Sequence, residues 1–310
     1  MNYRFSFMNA QTLTSPGLPS AMSDDLLDEV EKLMRRLVTR GEPFGVGMFS
    51  NSAQAAIGHL AAGGQRVRAR LALGAGVALD LSPQDSIALA ATAELLHNAS
   101  LVHDDLQDRD NIRRGNQTVW AAYGDEVAIC TGDLLLSAAY GALASVSDSR
   151  LLPELIALVH ARTALVVRGQ CSEFSAKGQQ VIDMAVYERI AVGKSGALLS
   201  LPLELALAAA GENEWMSEAR RAAEAFGIGY QIMDDMEDVE SDAAGDDEPR
   251  AVNALLVLRA AGHGLNAKAV AREIGLRHLH TAIELADRLP NGAGAFLRSL
   301  ASALCQRLSI

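Results

Sequence analysis

Aromatic residues make up only 5% of this 310-residue chain, and its three cysteines include no CxxC pair. A composition poor in aromatics and rich in alanine and leucine argues against β-sheet. From Val30 onward no stretch alternates apolar and polar residues long enough to make a strand. Cys130, Cys171 and Cys305 lie far apart, and an odd number of thiols cannot all pair within one chain. They are expected to be reduced thiols in or near the core of a cytoplasmic protein. Residues 1–22 lack the continuous apolar core of a signal peptide. No later run is a charge-free span of about 20 residues, so no integral membrane segment is expected. Fixed-period repeats and low-complexity linkers are also missing. Positive charge is short: 27 Lys and Arg stand against 38 Asp and Glu, a net charge of −11. Such a surface repels nucleic acid and anionic membranes, which argues against either as a partner.

What the chain does contain is helix. The apolar fraction is 49% and the charged fraction 21%, ordinary for a folded domain. "SDDLLDEVEKLMRRLV" reads as a first helix capped by Ser23, with acids in its first turn and bases in its last. Helical segments then follow over roughly 50–62, 66–80, 84–105, 118–123, 126–146, 151–171, 180–191, 195–210, 214–237, 250–261, 265–275, 276–287 and 293–308, most joints being marked by Gly, Pro, Asp or Asn. "IALAATAELLHNASLV" and "GALLSLPLELALAAA" are apolar nearly all round, as helices in the middle of a bundle are. The expected architecture is all-α, with a poorly ordered arm over 1–22 and a single domain over 23–310. Residues 238–250, "DVESDAAGDDEPR", read as one long polar loop.

Chemistry enters where an apolar helix ends in acid. In "LLHNASLVHDDLQDRDNIRRG", Asp104 and Asp108 are one helical turn apart and share a face, with Asp105 about 100° round. Burying such a pair without a partner is costly, and a divalent cation removes the cost. Carboxylates with water suit Mg²⁺, which is commonly completed by substrate phosphate. The pattern recurs in "AFGIGYQIMDDMEDVESD", with Asp234, Asp235 and Asp238. Two helices ending this way would be able to face each other across a cavity. Between them, "ERIAVGKSGALLS" places Lys194 and Ser195 at a helix break where a phosphate could sit.

Together, over about residues 55–240, these motifs resemble the trans-isoprenyl diphosphate synthases, or polyprenyl synthetases. "HDDLQDRDNIRRG" resembles the family's first aspartate-rich motif, with Arg113 and Arg114 behind it. "GYQIMDDMED" resembles the second, with Gln231 three residues before Asp234. "GKSG", "RGQCSE" and "GGQRVRA" resemble further motifs of the family, and His97 stands seven residues before Asp104. The resemblance implies an isoprenoid-synthase-type helical bundle around a central cavity, usually a homodimer. It implies a prenyltransferase that joins isopentenyl diphosphate to an allylic diphosphate. Three Mg²⁺ per site would be held by Asp104, Asp108 and Asp234, with Asp238 in support. Arg113, Lys194, Ser195, Gln231 and Gln170 would receive the allylic diphosphate. Gln65, Arg68, His97 and Arg114 would receive isopentenyl diphosphate. The catalytic set is then Asp104, Asp108, Asp234, Lys194 and Arg113. Leu96, Ala99 and Ser100, on the helix before Asp104, would set product length. Where the family limits length with a large aromatic, Ser100 and Ala99 leave room for a product longer than fifteen carbons, with twenty the first expectation.

Two departures stand out. The family's lysine after Gly-Gly is Gln65 here, with Arg66 and Arg70 as nearby candidates to compensate. The segment after Asp238 has no lysine up to residue 250, and Arg250 is its only base. Both leave open a lyase that ionises a prenyl diphosphate without extending it, as terpene synthases do. They also leave open a regulatory subunit of a heteromeric synthase.

Overall fold

Helical propensity is realised almost throughout. The protein, here a computed structural model, is described over residues 20–41, 50–176, 183–242 and 252–308. The arm up to residue 19 and Arg250 therefore lie outside the described residues, as do the side chains of Glu173, Lys194, Ser195 and Asp238. The chain divides into two compact units, Met1–Ala157 with Leu205–Gly211, and Leu158–Glu204 with Glu212–Ile310.

In the first unit, α1 (Ser20–Val38) begins three residues before the expected cap, so Ser23 is already helical. It carries Arg35 and Arg36 in its last turn, where they favour the helix dipole, and buries Val30, Leu33, Met34 and Val38. The Ser50 hydroxyl caps α2 (Asn51–Ala61) by accepting from the Ala53 N–H at 3.3 Å. The next helix, α3 (Val67–Ala78), has no side-chain cap of its own. Buried Glu94 supplies one from a neighbouring helix, accepting from the Ala69 N–H at 3.2 Å. That neighbour is α4 (Pro83–Asp108), begun by the Ser82 cap and Pro83, which packs against α1 and α3. Its burial on nearly every side explains the apolar composition noted above. Arg109, at φ 58°, ends α4 in the left-handed conformation.

A two-residue ladder follows, β1 (Ile112–Arg113) against β2 (Asn116–Gln117), antiparallel. Arg114 (φ 52°) and Gly115 (φ 79°) form its turn, both at positive φ as in a type I′ hairpin. Then come α5 (Val119–Tyr123) and α6 (Asp125–Leu143), the latter packed on α4 and α2. By length and composition, α6 is the one described helix apolar enough to cross a membrane, and about half of it (44%) is buried inside the protein.

The second unit continues α7 (Leu152–Ala176) from Leu158 and adds α8 (Met184–Ala191). The helix break expected at Lys194–Ser195 is instead a π-helical turn, Val192–Gly196, that runs on into α9 (Ala197–Ala210). There α7 and the turn touch backbone to backbone: a Cβ on Gly169 would lie 2.8 Å from the Gly193 carbonyl carbon. Next is α10 (Met216–Asp242), which extends five residues into the expected 238–250 loop, so Asp238 is helical. After α11 (Ala254–Leu258), the segments expected over 265–275 and 276–287 form one helix, α12 (Ala267–Arg288), and α13 (Ala295–Leu308) closes the unit. Gly275 does not interrupt α12; a Cβ there would meet Ile232 and Leu308 at 3.4 Å, an ordinary van der Waals contact. Inside this unit Glu204, 0% exposed, receives Arg162 through two 2.7 Å bonds and Arg220 at 3.0 and 3.2 Å.

The thiol expectation is corrected. Cys130 and Cys171 are exposed and Cys305 half-buried. The small residues around them marked helix faces, not core.

Candidate functional site

Each aspartate-rich motif is divided between an inward and an outward role. In the first, Asp104 and Asp108 are half-buried, whereas Asp105 is 1% exposed. Asp105 accepts from Arg113 Nε at 2.7 Å and Nη2 at 2.6 Å, so the buried charge is balanced by an arginine that is itself buried. Burial pushes the Asp105 carboxyl upward while Arg113 opposes the shift. The expectation that a cation must offset a buried Asp104–Asp108 pair is therefore corrected: the deeply buried carboxylate is the middle one, and Arg113 offsets it. Arg113, expected beside the allylic diphosphate, is held to Asp105. The second motif repeats the scheme. Asp234 is half-buried, and Asp235, 3% exposed, accepts from the Tyr187 hydroxyl (2.7 Å), Gln231 Nε2 (2.9 Å) and the Ala254 N–H (2.8 Å). Gln231, expected at the diphosphate, thus braces Asp235.

The loop after α4 is fastened at several points. Arg109 pairs with Asp125 through bonds of 2.8 and 2.9 Å and lies over the Trp120 ring, 5.0 Å from its centre. The Asp110 carbonyl accepts from Thr118 Oγ1 at 2.7 Å and Trp120 Nε1 at 2.8 Å. Arg114, at the hairpin tip, donates to the Gly63 carbonyl and packs on Gly64, where a Cβ would lie 2.7 Å from its guanidinium. Only glycine at residue 64 admits that approach.

Around this hairpin the first unit gathers positive charge despite the acidic chain. Arg68 and His97 are buried, and Arg68, Arg113 and Arg114 all act on the His97 ring. Both candidates to compensate for Gln65 make bonds within the fold. Arg66 is buried, donating to the Leu60 carbonyl at 2.6 Å and Glu31 at 3.0 Å. Arg70 donates to the Gln65 carbonyl at 3.3 Å and faces Asp24. A residue not foreseen from sequence, His59, joins the group: its Nε2 is sealed from solvent and its ring interacts with the Asn98 side chain on α4. Burial, then Arg114, Arg113 and Arg66, bring its pKa down to about 3. Burial and the same arginine group hold His97 well below its ordinary value.

These neutral histidines make acid the weak side of the first unit. Unfolded histidine binds a proton near pH 6.5 and these folded ones do not, so their contribution is complete above that pH and is lost as pH falls. The expected loss is up to about 1.4 kcal/mol per pH unit for each. Urea denaturation between about pH 7 and pH 5 checks it; the double variant H59Q/H97Q should lose stability less steeply.

The remaining expected residues are placed as follows. Gln170 is buried on α7. Leu96 and Ala99 are buried in α4, and Ser100, one turn before Asp104, is half-buried and donates to the His97 carbonyl at 2.8 Å. Among the described residues no three His, Cys, Asp or Glu side chains converge as a finished metal cage. The donor set at the end of α4, two part-exposed carboxylates one turn apart, fits Mg²⁺, which takes one or two carboxylates and keeps its other positions for water and phosphate.

Residues 50–254 match the polyprenyl synthetase family. A chloroplastic geranylgeranyl pyrophosphate synthase of Capsicum annuum is 35% identical over 188 residues, covering 58% of this chain and 51% of that protein. A short chain isoprenyl diphosphate synthase of Methanothermobacter thermautotrophicus is 32% identical over 184 residues, covering 59% and 57%. The chain thus spans about half the length of the curated relatives it matches. In fold it is similar to a decaprenyl diphosphate synthase from Rhodobacter capsulatus, with TM-score 0.79 and 21% identity over 93% of this chain and 98% of the other. It is similar also to a geranylgeranyl pyrophosphate synthetase from Geoglobus acetivorans, with TM-score 0.78 and 22% identity over 92% and 100%. On the extent of the family match, the chain belongs to the polyprenyl synthetases.

Proposed function

We propose that this protein joins isopentenyl diphosphate to an allylic diphosphate, extending a trans-prenyl chain by five carbons. The observation that carries the reading is the end of α4: part-exposed Asp104 and Asp108 beside a hairpin that carries Arg113 and Arg114. Asp104 and Asp108 would hold magnesium at the first motif and Asp234 with Asp238 at the second, and the bound metal would neutralise charge building on a departing pyrophosphate. Asp105 fixes Arg113, and Asp235 fixes Gln231, so the neighbouring outward carboxylates are presented from braced helices. Lys194, Ser195 and Gln170 complete the allylic side. Arg68, His97 and Arg114 receive the second diphosphate, and its double bond attacks the allylic carbon. The proton lost afterwards goes to the released pyrophosphate, and no protein nucleophile is required.

The relatives named above make products of different lengths, so length is argued from α4. Ser100 and Ala99 are small and lie within about one turn of Asp104, leaving room for a chain beyond fifteen carbons. Incubation with magnesium, isopentenyl diphosphate and C5, C10 or C15 primers should yield C20 or longer products on sizing. Ser100→Phe should shift them to C15 or shorter. Products of unchanged size would place the floor elsewhere. The uncharged Gln65 favours one rival, an ionising lyase. If prenyl diphosphate is consumed equally with and without isopentenyl diphosphate, and no extended chain forms, that rival replaces this reading.

A further inference from the structure

In the second unit, α8 and the π-helical turn Val192–Gly196 run on as one helical segment packed along α10. The segment is registered on α10 at two points. Near one end the Tyr187 hydroxyl donates to Asp235 Oδ2 at 2.7 Å, both groups being buried. At the other end Gly196 lies against the α10 main chain, where a Cβ would stand 3.2 Å from the Glu224 Cα. The two contacts are about 16 Å apart along α10 at helical rise. Contacts so spaced fix both the slide and the tilt of one helix on another, and the hydroxyl supplies the directional one. We propose that Tyr187 is a positioning residue for prenyl transfer: through Asp235 it keeps the turn that carries Lys194 and Ser195 in register with Asp234. The inference rests on the prenyl-transfer reading for the identity of the substrate, and applies to any magnesium-bound diphosphate gripped by the turn and Asp234.

Asp235 is the junction of three segments. Its Oδ1 accepts from Gln231, one turn earlier on α10, at 2.9 Å, and its Oδ2 accepts from Tyr187 of α8 and from the Ala254 N–H at 2.8 Å. The Asp235 carbonyl accepts from Asn253 Nδ2 at 3.2 Å, so the start of α11 is tied to the same residue. A hydrogen bond to a carboxylate is short and strong, and burial shields this one from competition by water. Buried Ile190 and Ala191 hold α8 by apolar contact, which is non-directional and resists separation more than sliding. Tyr187 precedes Lys194 by about two helical turns on the same segment, so a shift at its hydroxyl is carried to the turn. Asp234 is the chain neighbour of Asp235 and is held by the same junction. A displacement of about 1 Å between groups that grip one substrate can cost up to about a hundredfold.

Tyr187→Phe tests this on the full chain. The variant keeps the ring, and Asp235 keeps Gln231 and Ala254 as donors, so the buried carboxylate is not left bare. Steady-state kinetics should show KM for the allylic primer and the half-saturating magnesium concentration each raised about tenfold. KM for isopentenyl diphosphate, whose expected contacts Arg68, His97 and Arg114 belong to the first unit, should stay within about twofold. The magnesium-dependent binding of inorganic pyrophosphate, measured by calorimetry, should weaken about tenfold. A partly unfolded sample lowers kcat and leaves each KM in place, so urea denaturation is run beside the kinetics. Loss of kcat alone, or kinetics and pyrophosphate affinity equal to wild type, overturns the inference and leaves the reaction standing. Equal rises in KM for both substrates overturn it too, since the disturbance would then be general. A wild-type chain that extends no primer overturns the reaction; about tenfold weaker pyrophosphate binding in Y187F then upholds the register, and unchanged binding overturns it.

Discussion

Asp235→Ala should destabilise the second unit by about 3–5 kcal/mol, whereas Asp234→Ala should leave its denaturation curve in place and lower turnover at least about a hundredfold. The two residues are neighbours of identical type, and the contrast comes from what each touches. Removing Asp235 strands the Tyr187 hydroxyl, the Gln231 amide and the Ala254 N–H in a buried place. Each stranded donor costs roughly 1–3 kcal/mol, partly recovered by relaxation. It also removes the Ala254 N–H tie between α10 and the chain after residue 252, although Asn253 Nδ2 keeps its bond to the Asp235 carbonyl. Asp234 is half-buried, and its proposed partner is a cation with diphosphate, so its loss is felt in the reaction. Urea denaturation and a turnover assay on both variants check the prediction. Asp235→Asn, which retains volume and one acceptor, should fall between wild type and D235A in stability. Equal stability losses for Asp234→Ala and Asp235→Ala would remove the division of roles proposed for both motifs.

Glu204→Ala should be comparably damaging, about 3–5 kcal/mol, although Glu204 belongs to no motif. Its carboxylate is 0% exposed and accepts from Arg162, which is itself 9% exposed at the side chain, and from Arg220, which is 41% exposed. Truncation leaves the Arg162 guanidinium buried without its counter-charge, while Arg220 can turn to water. Arg220→Ala should therefore cost little. Replacing Glu204 by Leu together with Arg162 by Met removes both buried charges, and should recover most of the stability lost in E204A. A double-mutant cycle by chemical denaturation measures this. Additive losses for the two partners would mean the pair contributes packing alone.

Helix positions were legible because composition and punctuation agree with packing, as at Ser82–Pro83 and Ser50. The errors fell where local signals are silent. The start of α1 at Ser20 and its passage through Ser23 could not be read from a good capping residue alone. Lys194–Ser195 looked like a break because glycines flank it, yet a π-helical turn keeps the chain helical there. Motif spacing located the acidic residues but not their division, which depends on tertiary partners such as Tyr187, 48 residues from Asp235. His59 gave no sequence signal, since one histidine in an alanine-rich helix does not announce the arginines folded around it.

The meeting of Gly169 with the Gly193 backbone has a consequence for how this unit can vary. A spacing set by side chains drifts whenever a methyl is gained or lost, but one set by two bare main chains has a hard stop. Gln170 follows one of those glycines and Lys194 the other, so the main-chain gauge between them stays fixed while the surrounding core is free to diverge. Divergence in substrate preference is therefore better sought along α4 than at this junction, where even one added carbon would wedge two helices apart.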